Sequence, residues 1–132
     1  MDYYLNPVNC YQRLEDEFVK YGKLIIAVDF DDTIYDFHRL GRTYTNVINL
    51  LKRWDRYAQI IIFTGNGVDK FPEIESYCNR YGIPYDGINC DSAVKVNGRK
   101  MYANVYLDDR GGLPMVYDHL NILIEKIEKG EI

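Results

Sequence analysis

No apolar run in this chain approaches the ~20 residues that a membrane-spanning helix requires, and Met1 to Asn9 lack the basic and apolar regions of a signal peptide. Neither export nor membrane insertion is expected, and the setting read from the sequence is cytoplasmic. Cysteine is scarce. Cys10, Cys78 and Cys90 are odd in number, widely separated and without the paired Cys/His spacing of a zinc site, which excludes a disulfide framework and leaves three ordinary reduced residues. Positive charge is also short: 16 Lys and Arg against 20 Asp and Glu give a formal net charge of -4, which argues against general affinity for a phosphate backbone. Repeats, low-complexity tracts and linker-like stretches are missing too. The 132 residues, 47% of them hydrophobic, are therefore read as a single domain over 1–132 with a genuine core.

What is present is concentrated between Leu24 and Tyr35. Leu24 to Val28 form an unbroken apolar run, as in a parallel strand buried on both faces, and the run stops abruptly in Asp29, Asp31 and Asp32. In open parallel sheets ligands sit just past the carboxyl ends of the strands, so acids at that place mark a candidate site. An acidic turn is the plainer alternative, because Asp is a common turn residue.

The remaining elements follow by period and punctuation. Asn6 before Pro7 is a helix start, and Cys10, Leu14, Phe18 and Tyr21 share one face of a helix that Gly22 closes. Thr43 to Tyr57 reads as a second helix, with Val47, Leu50, Leu51, Trp54 and Ala58 on its stripe. Gln59 to Thr64 is a second buried strand, ending in a hydroxyl residue before Gly65. A third helix runs from Phe71 to Tyr81 and ends at Gly82, and a short strand is expected near Tyr85 to Asn89. Asp91 to Tyr102 is polar and irregular and carries Lys95, Arg99 and Lys100. Ala103 to Leu107 is the last strand, ending in Asp108 and Asp109, and a final helix from about Pro114 turns Val116, Leu120, Leu123, Ile124 and Ile127 inward. Strands alternating with helices over short connections predict an α/β domain, a Rossmann-like three-layer sandwich around a mainly parallel central sheet. His38 and His119 have no visible partner and are read as surface or packing residues, and the thirteen tyrosines as amphipathic core-and-rim residues.

Apolar strands that finish in Asp-x-Asp, in Thr and in Asp-Asp, in that order, resemble the haloacid dehalogenase superfamily of aspartate-nucleophile phosphohydrolases, and the resemblance runs from Leu24 to the final helix. Its first motif, Asp-x-Asp-x-Thr, matches Asp29-Phe30-Asp31-Asp32-Thr33; its second, a strand ending in Ser or Thr, matches Thr64; its fourth, a strand ending in Asp-Asp, matches Asp108 and Asp109. The third motif is a lysine with little context, for which Lys100 is the better match and Lys95 the alternative. Asp32 stands where a glycine is often found, and Asp tolerates turn conformations well.

The resemblance implies a function. Asp29 would attack phosphorus and form an aspartyl-phosphate. Asp31 would serve as general acid and then base, which needs a raised pKa. Thr64 and the Gly65 N–H would hold phosphoryl oxygens, and Lys100 would neutralise charge there. Asp29, Asp108 and Asp109, with the Asp31 backbone carbonyl, offer hard oxygens suited to Mg²⁺. The short intervals from Tyr35 to Thr43 and from Gly65 to Lys100 imply a member with no cap domain. Such an open site suits a phosphate on a macromolecule end, or a small phosphorylated metabolite or nucleotide shielded by a neighbouring copy in a homo-oligomer; Arg39, Arg42, Arg99 and Arg110 near the mouth favour some anionic group. An alternative of another class is a phosphate-binding or receiver-like signalling module phosphorylated on Asp without turnover. In a receiver the phosphoacceptor lies on a middle strand after an early acidic pair, and here the acidic pair comes last.

Overall fold

A computed structural model describes residues 1–132. The chain opens with a 3₁₀ turn, Tyr3–Leu5, and then runs α1 Pro7–Tyr21, β1 Leu24–Asp29, α2 Thr45–Trp54, β2 Ala58–Phe63, α3 Phe71–Tyr81, β3 Gly87–Ile88, β4 Val105–Leu107 and α4 Leu113–Glu128. The four strands form one sheet in the order β3-β2-β1-β4, and every pairing is parallel. This is the expected Rossmann-like α/β layering. No helix is long and apolar enough to cross a membrane.

Local signals fix most boundaries. Asn6 caps α1 by accepting from the Val8 N–H at 3.0 Å, Pro7 takes the first helical position, and Gly22 ends the helix at φ 71, a conformation costly for any residue with a Cβ. Gly82 ends α3 in the same way at φ 66. The second helix is shorter than its periodicity predicts. Regular α-structure stops at Trp54, Asp55–Tyr57 tighten into a 3₁₀ turn, and Ala58 is the first residue of β2. An alanine fits a helical stripe and a buried strand equally well, and its pairing with Leu24 decides the matter here.

The strand faces separate two kinds of cover. Leu24, Ile26 and Val28 of β1 and Ile60 and Ile62 of β2 join one apolar cluster with residues of all four helices, among them Leu14, Leu51, Trp54, Ile74 and Leu123. Trp54 is fully buried and donates its indole N–H to the Leu120 carbonyl at 3.1 Å, so α2 and α4 are joined by a bond as well as by packing. Ile25, Ala27 and Ile61 of the opposite face are buried as well, and Ile25 shares the lining of a cavity with Ala93, Val94 and Tyr102 of the irregular segment 89–104. This segment forms a strap that is tied to the sheet at two places. Gln59 holds it by accepting from the Ala93 N–H at 2.8 Å, and Ile25 and Asn104 exchange two bonds at its far end.

Asn104 is buried and fully used. Its side-chain oxygen accepts from Ile25 N–H and its amide donates to Glu17, both at 2.6 Å, while its backbone carbonyl accepts from Arg13 at 2.9 Å. Replacing it leaves a strand N–H unsatisfied inside the protein. Asn104→Ala should lower stability by about 2–3 kcal/mol, measured by urea denaturation, whereas Ala at the exposed Asn97 should change it by less than about 0.5 kcal/mol.

Candidate active site

Register brings the acids together. In the parallel pairing of β1 with β4, Val28 lies beside Leu107, so the next residues, Asp29 and Asp108, leave adjacent strands at the same level. Asp109 follows at once, and oxygen atoms of Asp29, Asp108 and Asp109 lie within 4.8 Å of one another. Asp108 also closes the turn into α4: its Oδ1 accepts from the Arg110 N–H at 2.9 Å, which leaves its other oxygen free.

Thr33 joins the two strand ends. Its hydroxyl, fully buried, accepts from the Asp109 N–H at 3.1 Å and lies 3.3 Å from the Asp109 carboxylate and 3.4 Å from that of Asp29. A hydroxyl has one proton, so it serves one carboxylate at a time and cannot relieve both. Burial, the closeness of the Asp109 carboxyl and the charges of Asp108 and Asp109 together push Asp29 up to about 7. Hard carboxylate oxygens, crowded and short of counter-charge, fit a small divalent cation such as Mg²⁺. The Asp31 side chain stands outside this group. Its backbone carbonyl, the oxygen expected to ligate, receives no hydrogen bond from the protein, because the Asp31–Tyr35 bridge uses the Phe30 and Tyr35 carbonyls instead.

On the β2 side Thr64 and Asp31 share a partner that sequence reading missed. Asn66 donates its side-chain amide to Thr64 Oγ at 2.8 Å and to Asp31 Oδ2 at 3.2 Å, and its backbone N–H also donates to Thr64 Oγ, at 3.1 Å. With two donors already on its oxygen, the Thr64 hydroxyl has its own hydrogen to give. The Gly65 N–H donates to nothing within the protein and is exposed. Asn89, another partner missed in the sequence, fixes the backbone there: it accepts from the Thr64 N–H at 2.7 Å and donates to the Thr64 carbonyl at 2.8 Å. Burial raises the Asp31 pKa, partly offset by the Asn66 bond, and Asp32 and Asp109 raise it further.

The lysines stand apart from the acids. Lys100 is exposed on the strap, its ammonium 5.1 Å from the centre of the Tyr106 ring, and lines a cavity of about 350 Å³ with Phe63 and Asn89. Lys95 is exposed and does not line that cavity. Neither is ion-paired with an acid.

Asp32 adopts φ 60, the conformation for which glycine is the usual choice, and its carboxylate meets His38 Nε2 at 3.3 Å and the Tyr44 hydroxyl at 3.5 Å. The sequence reading of His38 as partnerless is therefore corrected: a bond closed across a folded-back loop leaves no periodic trace. His119 packs edge-on against Tyr11 at 5.5 Å, as a packing residue should.

No protein-family model matches this chain, and neither does any functionally curated protein. Among solved structures, a conserved protein from Bacteroides thetaiotaomicron is similar, 26% identical with a TM-score of 0.61 over 82% of this chain and 92% of that one. The likeness carries the fold: a parallel α/β domain of this size and arrangement.

The crowding of acids has a sign that can be tested. A carboxyl whose folded-state pKa lies above its unfolded value favours folding while protonated, so without metal that contribution is lost as pH climbs from 3.8 to about 7. Asp29→Asn keeps the shape and removes the charge. In the presence of a chelator the variant should be more stable than the parent at pH 8, by about 1–2 kcal/mol once solvent screening is allowed for, and the difference should vanish near pH 4. Thermal melts at the two pH values check this; equal stability at pH 8 would show that the acids do not strain one another.

Proposed function

We propose that this chain is a magnesium-dependent phosphomonoester hydrolase of the haloacid dehalogenase type, capless, working through an aspartyl-phosphate on Asp29. The observation that carries the reading is the convergence, on one edge of a parallel sheet, of the crowded carboxylates of Asp29, Asp108 and Asp109 with donors at Thr64 and Gly65 and with Asp31, whose carboxyl is held above its ordinary pKa by burial. Nucleophile, anion donors and acid stand on different strand ends, as transfer of a phosphoryl group requires.

Asp29 and Asp108, with Asp109 and the Asp31 carbonyl, would hold Mg²⁺, which when bound supplies the positive charge that lets a carboxylate approach an anionic phosphate. Asp29 would then attack phosphorus as the ester oxygen leaves. Thr64 Oγ–H and the Gly65 N–H would donate to the phosphoryl oxygens, worth most where charge accumulates in the transition state. Asp31, its pKa raised, would give its proton to the departing oxygen and afterwards take one from the water that opens the aspartyl-phosphate. Asn66 would keep Asp31 aimed while the proton moves. Lys100 would approach by movement of the strap, since its present contact is the Tyr106 ring. The substrate is a phosphomonoester, either a small molecule or an exposed phosphate on a macromolecule, and a second copy could shield the open edge.

Hydrolysis of a generic aryl phosphate with Mg²⁺ should fall by roughly three orders of magnitude or more in Asp29→Asn, and EDTA should abolish it reversibly. Undiminished turnover in the purified, folded Asp29→Asn variant would exclude Asp29 as nucleophile. One equivalent of product per chain, with no further turnover, would favour the receiver-like module.

Lys100→Ala should cost about 10²-fold in kcat/KM and Lys95→Ala little. The opposite result would move the role to Lys95.

A further inference from the structure

Resting on that reading, we propose that the cavity beside Asp31 receives the leaving group and selects phosphomonoesters of a flat, single-ring alcohol that carries a second anionic substituent, which Arg39 reads. The cavity holds about 260 Å³ and is lined by Asp31 and Asn66 but by none of Asp29, Asp108 or Asp109. It therefore opens on the group that would protonate the leaving oxygen, on the side away from the crowded acids. A leaving group has to lie against its acid, so this is where it goes.

The walls are aromatic. Phe30 and Tyr35 stack at 5.0 Å with their planes 15° apart, and Tyr77 stands edge-on to both, at 5.5 Å and 5.0 Å. Tyr77 is fixed by donating its hydroxyl to the Ile34 carbonyl at 2.7 Å. Fixed rings in offset and edge arrangements favour another ring over a saturated chain of equal bulk. The volume lies just under the usual range for small-molecule pockets, about 300–1,000 Å³, and so suits one ring.

Charge comes from the flap after β1. Phe37 and Arg39 both line the cavity, and Phe37 leaves 53% of its surface exposed, an apolar side chain held at a rim. Arg39 has φ 54, unfavourable for a residue with a Cβ, and the turn holds it there: its own N–H donates to the Asp36 carbonyl at 3.2 Å, and the Asp36 carboxylate accepts from Leu40 and Gly41 N–H at 3.3 and 2.9 Å. Lys70, the other cation on the lining, already faces Glu73 at 4.0 Å. Arg39 has no acidic partner, and its guanidinium suits a carboxylate or phosphate.

The test uses three esters of similar intrinsic reactivity with Mg²⁺: benzyl phosphate, cyclohexylmethyl phosphate and 4-carboxybenzyl phosphate. The parent should prefer benzyl over cyclohexylmethyl several-fold in kcat/KM, and 4-carboxybenzyl over benzyl by about tenfold, the worth of one charged contact near 1.4 kcal/mol. Arg39→Ala should erase the second preference, and Arg39→Lys should restore part of it. Equal rates on all three esters, or a carboxylate preference that survives Arg39→Ala, would overturn the inference while leaving the hydrolase reading intact. If no ester is turned over, the hydrolase reading fails by itself. Calorimetric binding of the free alcohol 4-(hydroxymethyl)benzoate then decides the cavity: binding lost in Arg39→Ala supports it, and no binding to the parent overturns it.

Discussion

Mutual repulsion among Asp29, Asp108 and Asp109 is the constraint around which the molecule is arranged. Like charges whose oxygens come within 4.8 Å of one another separate unless the backbone forbids it. The backbone here is the parallel pairing of β1 with β4, and β4 has only three residues, Val105–Leu107, of which Val105 and Leu107 are buried. So short a strand adds little to the sheet's cohesion. Its consequence is to bring Asp108 level with Asp29, and the buried Thr33 hydroxyl then ties the turn after β1 to the Asp109 backbone. Apolar burial deep in the sheet thus sets a register whose effect is felt at its edge.

Most of the fold was legible because its signals are local. The caps at Asn6, Gly22 and Gly82 bound α1 and α3 where the sequence reading put them, and the short apolar runs Leu24 to Val28 and Ile60 to Phe63, too short for helices and bounded by turn residues, are strands as expected. Thr43 to Tyr57 was overextended as a helix for an equally local reason: the stripe continues through Trp54 to Ala58 without a breaker, and strand pairing, a tertiary effect, takes Ala58 away. The strap was the larger omission. Asp91 to Tyr102 reads as polar and irregular, yet the segment is tied to the sheet at Gln59 and Ile25 by contacts as sparse in sequence as the Gln59 to Ala93 bond.

At the site, sequence delivered the groups whose chemistry is strong and missed those that aim them. Asp29, Thr64 and the Asp108-Asp109 pair announce themselves by ending apolar runs. Asn66 and Asn89 do not, because an asparagine just after a strand is ordinary turn composition. Asn66 acts once the loop after β2 lies beside Asp31, and Asn89 once the residues after β3 lie beside Thr64. Asp32 is the instructive case. The sequence offered a departure from glycine, and the backbone explains both halves of it: φ 60 is what glycine would supply, and the carboxylate adds what glycine lacks, a hold on His38 and Tyr44.

On the proposed reading, that hold bears on how a capless domain could choose a substrate. The strand ends, on the same reading, carry groups that any phosphomonoester would meet, and they are fixed by the sheet. The flap from Asp36 to Gly41 is fixed by other means, through its own Asp36 carboxylate and through Asp32 to His38, and none of these bonds involves the crowded acids. Selection and chemistry, as proposed, therefore rest largely on separate supports. On the proposed reading this separation is what lets a capless domain discriminate: a residue on a braced turn does in one side chain what an inserted domain would do with many, provided the leaving group is small enough for a cavity of about 260 Å³.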